Sequence, residues 1–309
     1  MSAPQGTRAI LRLVKVSVGE GGKETVEPPK GFLFGLDLGS VDVTTYASKL
    51  DYLLVQPEGY SDVFGYKGKI SFAEKPWTSY CQWHDGPLDE ADDPTRRLYC
   101  PVPADTFCSK HRRTERAAYT LCLDSRSEKA LDACKYIDSI VKTEYVVYMV
   151  DYGGDKPKVG TTRKFRLLER ISEQPHIVAT VIYETDSLFD ARRAEMKVSR
   201  EGIAVESWRH KIVFHQDLYF GITRLKGPAE KASRLLGFQW PATFFTIKLP
   251  LNERPLVVEP DQLGRESYDV IGAWGGFLFL KNSRGQTLAI KTSYLMHKNS
   301  LMVDLRTKS

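Results

Sequence analysis

The chain is poor in cysteine and histidine, with five and six respectively among 309 residues. It has no run of about eighteen apolar residues, the length a membrane-crossing helix needs. Charge of one sign is also lacking. Forty-four Lys and Arg stand against 39 Asp and Glu, leaving +5 and a pI near 8.8, which excludes a histone-like or polybasic character. Such a balance permits a nucleic-acid partner without requiring one. Internal repeats and low-complexity stretches are absent, as are a Gly-x-Ser-x-Gly elbow and a His-Glu-x-x-His pair. The segment Gly272-Ala-Trp-Gly275-Gly276 lacks the Gly-Lys-Ser/Thr ending of a phosphate loop.

The first residues, MSAPQGTRAILRLVKVSVGEGG, meet a charged residue or glycine too soon for the apolar core of a signal peptide. The expectation is a soluble, cytoplasmic protein in which thiols stay reduced. Its cysteines are then read as metal ligands and buried thiols rather than disulfides.

What is present is organised as α+β in four consecutive domains. Residues 1–74 alternate apolar and polar positions in short runs (AILRLVKVSV, FLFGLDL, DYLLVQ, GKISFA) and are expected to form a β-rich domain. Residues 75–143 hold a Cys/His/Trp-rich loop region followed by two helices, the second capped by Ser125 or Ser127. Residues 144–200 give strand, turn, strand, basic helix, strand and helix, a compact α/β unit. Residues 201–309 contain a helix at about 228–237 and a β-rich end.

Two matching steps stand out, Cys81-Gln-Trp-His84 and Cys108-Ser-Lys-His111. A gap of two residues lets one tight turn aim two ligands at one ion, so four of the five residues Cys81, His84, Cys100, Cys108 and His111 are expected to hold structural zinc. Cys100 competes with His84 for the set. Cys122 and Cys134 have apolar neighbours and read as buried core thiols. Arg112, Arg113 and Arg116 follow the last ligand, where a metal-pinned loop presents guanidiniums to phosphates; a solvated helix face is the plain alternative. Trp77, Tyr80, Trp83, Trp240, Phe244 and Phe245 are candidate base-stacking aromatics, with core packing the better reading for each.

The central segment resembles the GIY-YIG nuclease superfamily, in its branch where the second motif reads Lys-Ile-Gly-x-Thr. The likeness is carried by Glu144-Tyr145-Val-Val-Tyr148, Lys158-Val159-Gly160-Thr161-Thr162, a helix with Arg163, Arg166 and Arg170, and Ala191-Arg-Arg-Ala194-Glu195. The whole chain is also similar to an uncharacterised zinc-binding family with Cys/His knuckles ahead of a Tyr-x-x-Tyr, Lys-Val-Gly-x-Thr-Arg, Arg, Glu-Gln segment, matched here through Cys108, His111, Tyr148, Lys158 to Arg163, Arg170, Glu173 and Gln174. The superfamily resemblance implies Tyr148 for water activation, Arg166 or Arg170 for the phosphorane charge, and Glu195 for a divalent ion such as magnesium. Lys158 stands where many active members have tyrosine, and an ammonium is a poor base at neutral pH.

The cations Lys156, Lys158, Arg163, Lys164, Arg166 and Arg170 face only Asp155 and Glu169 in their own stretch, a phosphate-contacting pattern. The expected function is therefore nucleic-acid binding, RNA before DNA, with nuclease activity reduced or absent. An active metal-dependent endonuclease and a protein-interaction scaffold are the competing readings.

Overall fold

A computed structural model describes residues 6–29, 39–124, 127–207, 214 and 217–305. The run FLFGLDL and the alternative cap Ser125 lie outside the described residues. In chain order the strands and helices are β1 (Thr7–Val26), β2 (Val41–Pro57), β3 (Phe64–Tyr66), β4 (Ser71–Phe72), α1 (Glu115–Asp124), α2 (Glu128–Ile140), β5 (Tyr145–Asp151), β6 (Lys158–Arg163), α3 (Leu167–Ser172), β7 (Val178–Thr185), α4 (Leu188–Arg200), α5 (Leu218–Leu236), β8 (Phe244–Lys248), β9 (Leu256–Val257), β10 (Asp269–Trp274), β11 (Phe277–Lys281), β12 (Thr287–Lys291) and β13 (Leu301–Val303). The class is mixed α and β, as expected, with sheet predominating among the described residues.

The chain divides into two units built from interleaved stretches. One takes residues 1–17, 49–117 and 250–309, the other 18–48 and 118–249. Long strands make this possible, because β1 and β2 run through the division and contribute to both units.

In the first unit, the start of β1 pairs antiparallel with β13, which pairs with β4, and the end of β2 pairs with β3. A separate sheet runs β10-β11-β12-β9. Gly275 and Gly276, at φ 64° and 77°, make the tight turn between β10 and β11 that L side chains resist. Ile10, Leu11, Leu53, Leu54, Tyr268, Trp274, Phe277 and Phe279 are among its buried side chains.

In the second unit, β6 pairs with β5, β5 with β7 and β7 with β8, all antiparallel, while β8 runs parallel to the start of β2. Every residue of β5 is buried, as a strand covered on both faces must be, and its near-continuous apolar run YVVYMVD reflects that. Helix α4 packs on β5, β6 and β7 and against α2, and α5 packs on β7 and β5. Ser127, Ser187 and Asp217 cap α2, α4 and α5 by accepting the amides of Ala130, Asp190 and Phe220.

Helix α5 starts ten residues before its expected position and carries Pro228 inside it. The Asp217 cap and the buried stripe Tyr219, Ile222, Leu225, Ala229 and Ala232 continue the helical period across the proline, and Gly237 in the left-handed region ends it.

One cysteine reading is corrected. Cys122 on α1 and Cys134 on α2 are buried but joined as a disulfide, with Cα atoms 5.1 Å apart, inside the span such a bond bridges. The two helices stack these positions together, which a separation of 12 in sequence does not disclose.

Candidate functional site

Residues 80–84 and 99–103 form a short antiparallel ribbon, with bridges Tyr80–Pro103 and His84–Tyr99 and amide bonds from Cys81 to Val102 and from Cys100 to Trp83. Side chains alternate across such a ribbon, so Cys81, Trp83 and Cys100 share one face while Tyr80, His84 and Tyr99 share the other. Cys108 and His111 follow on a tight turn closed by the His111 amide on the Cys108 carbonyl at 2.9 Å. On a turn, three positions apart means side by side. Both routes converge: the ligand atoms of Cys81, Cys100, Cys108 and His111 all lie within 4.8 Å of one another, and all four residues are buried.

The spacing suits a tetrahedral ion. Zinc bonds of about 2.3 Å to sulfur and about 2.0–2.1 Å to nitrogen place neighbouring ligand atoms roughly 3.5–3.8 Å apart. Cys100 and Cys108 sulfurs are 3.9 Å apart, and His111 Nδ1 lies 3.5 Å from Cys81 Sγ and 3.3 Å from Cys108 Sγ. Four protein ligands would close the coordination sphere of such an ion, the form of a structural rather than a hydrolytic site. Burial pushes the free Cys100 thiol up to about 11. Burial acts the same way on Cys108, but the amides of His111 and Lys110 outweigh it and hold that thiol below its ordinary value.

His84 is the candidate that the structure leaves out. It lies on the opposite ribbon face with Tyr99, its Nε2 3.4 Å from Arg97 Nη1 and its Nδ1 without a hydrogen-bond partner among the described residues. Burial and the nearby Arg116 and Arg97 push its imidazole down to about 2, so it stays neutral. Two residues that sequence reasoning did not assign to the metal do touch the cluster. Trp83 stacks on His111 with centroids 4.1 Å apart, and Arg12 of β1 donates to the carbonyls of Cys81 and Cys100 at 2.9 and 2.8 Å. The ribbon's alternation was the available signal for Trp83; nothing local in sequence marks Arg12.

In the second unit, Tyr148 of β5 lies opposite Gly160 of β6. The Tyr148 phenol receives Gln174 Nε2, and Gln174 Oε1 accepts Lys158 Nζ at 2.9 Å, so tyrosine, glutamine and lysine form one buried chain. Arg170 interacts with Tyr148 and bonds Glu173 at 2.7 Å. Glu195 does not join this group. Its carboxylate is buried, paired with Arg192 at 2.5 Å and bonded by Thr161 Oγ1 at 2.6 Å.

The basic run also meets counter-charges beyond its own stretch. Lys164 pairs with Glu184 and Glu144, Arg166 with Glu169 and Glu173, and Arg163 is buried over the Tyr119 ring at 4.7 Å. By contrast, Lys110, Arg112 and Arg113 on the Cys108–His111 turn or directly after it and Lys156 before β6 are exposed, with no carboxylate at ion-pair distance among the described residues. The stacking aromatics Tyr80, Phe244 and Phe245 are buried, and Trp77 and Trp240 donate their indole N–H to Ala73 and Thr180. No helix among the described residues is long and apolar enough to cross a membrane. Compared with known proteins, the chain matches no family model, no curated protein and no solved structure.

Proposed function

We propose that this protein is a zinc-stapled nucleic-acid-binding protein, with RNA preferred over DNA, whose GIY-YIG-like segment cuts slowly or not at all. The observation that carries the reading is the Cys108–His111 turn, where two buried ligands flank exposed Lys110 and exposed Arg112 and Arg113 follow directly. A metal-pinned turn holds these cations with little entropy left to lose, which favours phosphate contact on a shaped RNA surface. The absence of cutting is supported by the burial of Tyr148, Lys158 and Glu195, each already engaged with Gln174, Arg192 or Thr161. A carboxylate closed off by a guanidinium is a poor ligand for magnesium, which keeps several waters.

The test is salt-dependent binding of a structured RNA and a DNA duplex, with Lys110, Arg112 and Arg113 changed together to alanine. The slope of log affinity against log salt should fall by about 0.7–0.9 for each phosphate that the variant no longer neutralises. Equal binding by parent and variant would refute the reading. Rapid magnesium-dependent cleavage by the parent, abolished in Tyr148→Phe, would establish the endonuclease instead.

A further inference from the structure

Arg12 is buried to 2% exposure, a costly place for a charge. Among the described residues no carboxylate lies at ion-pair distance from it. Its donors all go to neutral acceptors around the metal ribbon. Nη1 reaches the Cys81 carbonyl at 2.9 Å and lies 3.4 Å from His297 Nδ1; Nη2 reaches the Cys100 carbonyl at 2.8 Å; Nε bonds Gln56 Oε1 at 2.7 Å. Gln56 in turn donates to the Tyr99 carbonyl at 3.1 Å, beside Cys100. The guanidinium lies 5.3 Å from the Tyr99 ring centroid.

Three thiolates and a neutral imidazole around a divalent ion would sum to one negative charge, buried beside Arg12, which has no carboxylate at ion-pair distance among the described residues. We propose that Arg12 is the positioning residue and counter-ion of the metal centre: its planar fork ties the two ribbon ligands to β1 and its charge balances the trithiolate ion. This inference rests on the reading of Cys81, Cys100, Cys108 and His111 as a metal site. An arginine suits the role because its rigid fork spans two carbonyls, which an ammonium cannot reproduce. The outer partners of metal ligands orient them and tune the ion in the same way.

The experiment measures zinc affinity of the full chain by competition with a chelating dye, and the sulfur-to-cobalt charge-transfer band of the cobalt-loaded protein. Arg12→Met should weaken zinc binding by about 10- to 100-fold and shift the cobalt band. Arg12→Lys keeps the charge without the fork and should fall between Arg12→Met and the parent. Arg8 is the control. It also sits on β1 and donates to the backbone carbonyls of Asn299 and Glu74 at 3.1 and 2.8 Å, away from the ligands, so Arg8→Met should bind zinc as the parent does. If Arg12→Met fails to fold, Arg12→Lys decides the matter, and parental affinity with an unshifted band in that variant overturns the proposal. An equal loss in Arg8→Met overturns it too, by reducing Arg12 to general support of β1. A parent that binds no zinc at all overturns the metal reading itself, an outcome distinct from the other two.

Discussion

Gly160 and Tyr148 explain one another. A Cβ at Gly160 would sit 2.5 Å from the Tyr148 hydroxyl, so the glycine of the Lys-Val-Gly motif is there because the phenol crosses over it to reach Gln174. Gly160→Ala should cost about 1–3 kcal/mol, the usual range for overpacking, read as a lower urea midpoint. Glu195 invites a sharper comparison. As a surface metal ligand its loss would leave stability unchanged; as the buried partner of Arg192 its removal takes away the nearer of two carboxylates, leaving the guanidinium with Glu206 at 4.0 Å and the Cys122 carbonyl at 3.2 Å. Glu195→Ala should therefore destabilise the fold by roughly 1–3 kcal/mol, less than for a charge left wholly uncompensated, and a change below about 0.5 kcal/mol would return the carboxylate to the solvent-facing role. Spacing identified Tyr148, Gly160 and Glu195 as special but could not say which of them touch.

At the scale of elements, helices were legible and their partners were not. The helix α4 was legible in sequence, but its cap is Ser187 rather than an acidic residue, and Asp138 at the end of α2 receives the Leu188 and Phe189 amides at 2.7 and 3.0 Å and the Ser187 hydroxyl at 2.8 Å. Asp138→Ala should cost about 0.5–2 kcal/mol, measured by thermal melting. His176 leads into β7. Its Nδ1 donates to the Gln174 carbonyl at 2.8 Å and its Nε2 accepts the Ile247 amide at 3.0 Å, a pairing open only to neutral imidazole. Burial pushes it down to about 4. The unfolded chain takes up this proton near pH 6.5 and the folded chain does not, so stability present above about pH 6.5 is lost progressively as pH falls toward 4. His176→Gln should make the pH dependence of unfolding in that window shallower by about one proton, and an unchanged slope would contradict the buried neutral imidazole.

At the scale of the molecule, the candidate metal cluster belongs to a unit assembled from three separated stretches, in which Cys81, Cys100, Cys108 and His111 lie within one of them. Ligand binding to the folded state alone adds stability by mass action. Removing the metal with a chelator, or changing Cys108 to serine, should lower the melting temperature and open the ribbon and turn between residues 81 and 111 to proteolysis. The parent should contain about one equivalent of zinc for a closed four-ligand site. An unaltered melting curve after complete chelation would show that the cluster is an ordinary thiol core.

Composition and periodicity by themselves determined the α+β class, the helix α2 with a serine cap, the strands β5, β6 and β7 and the loop region of the Cys/His cluster, because propensity, capping and alternation act over a few neighbouring residues. Tertiary structure alone decided three matters. It chose Cys100 over His84, since equal three-residue steps mean opposite faces on a ribbon and neighbouring positions on a turn. It brought Glu144, Glu173 and Glu184 to cations that sequence placed in an open basic stretch. It also carried Arg12, 69 residues before Cys81, to that ligand's carbonyl. Each of these depends on which surfaces pack together, and long-range packing leaves no mark in local spacing.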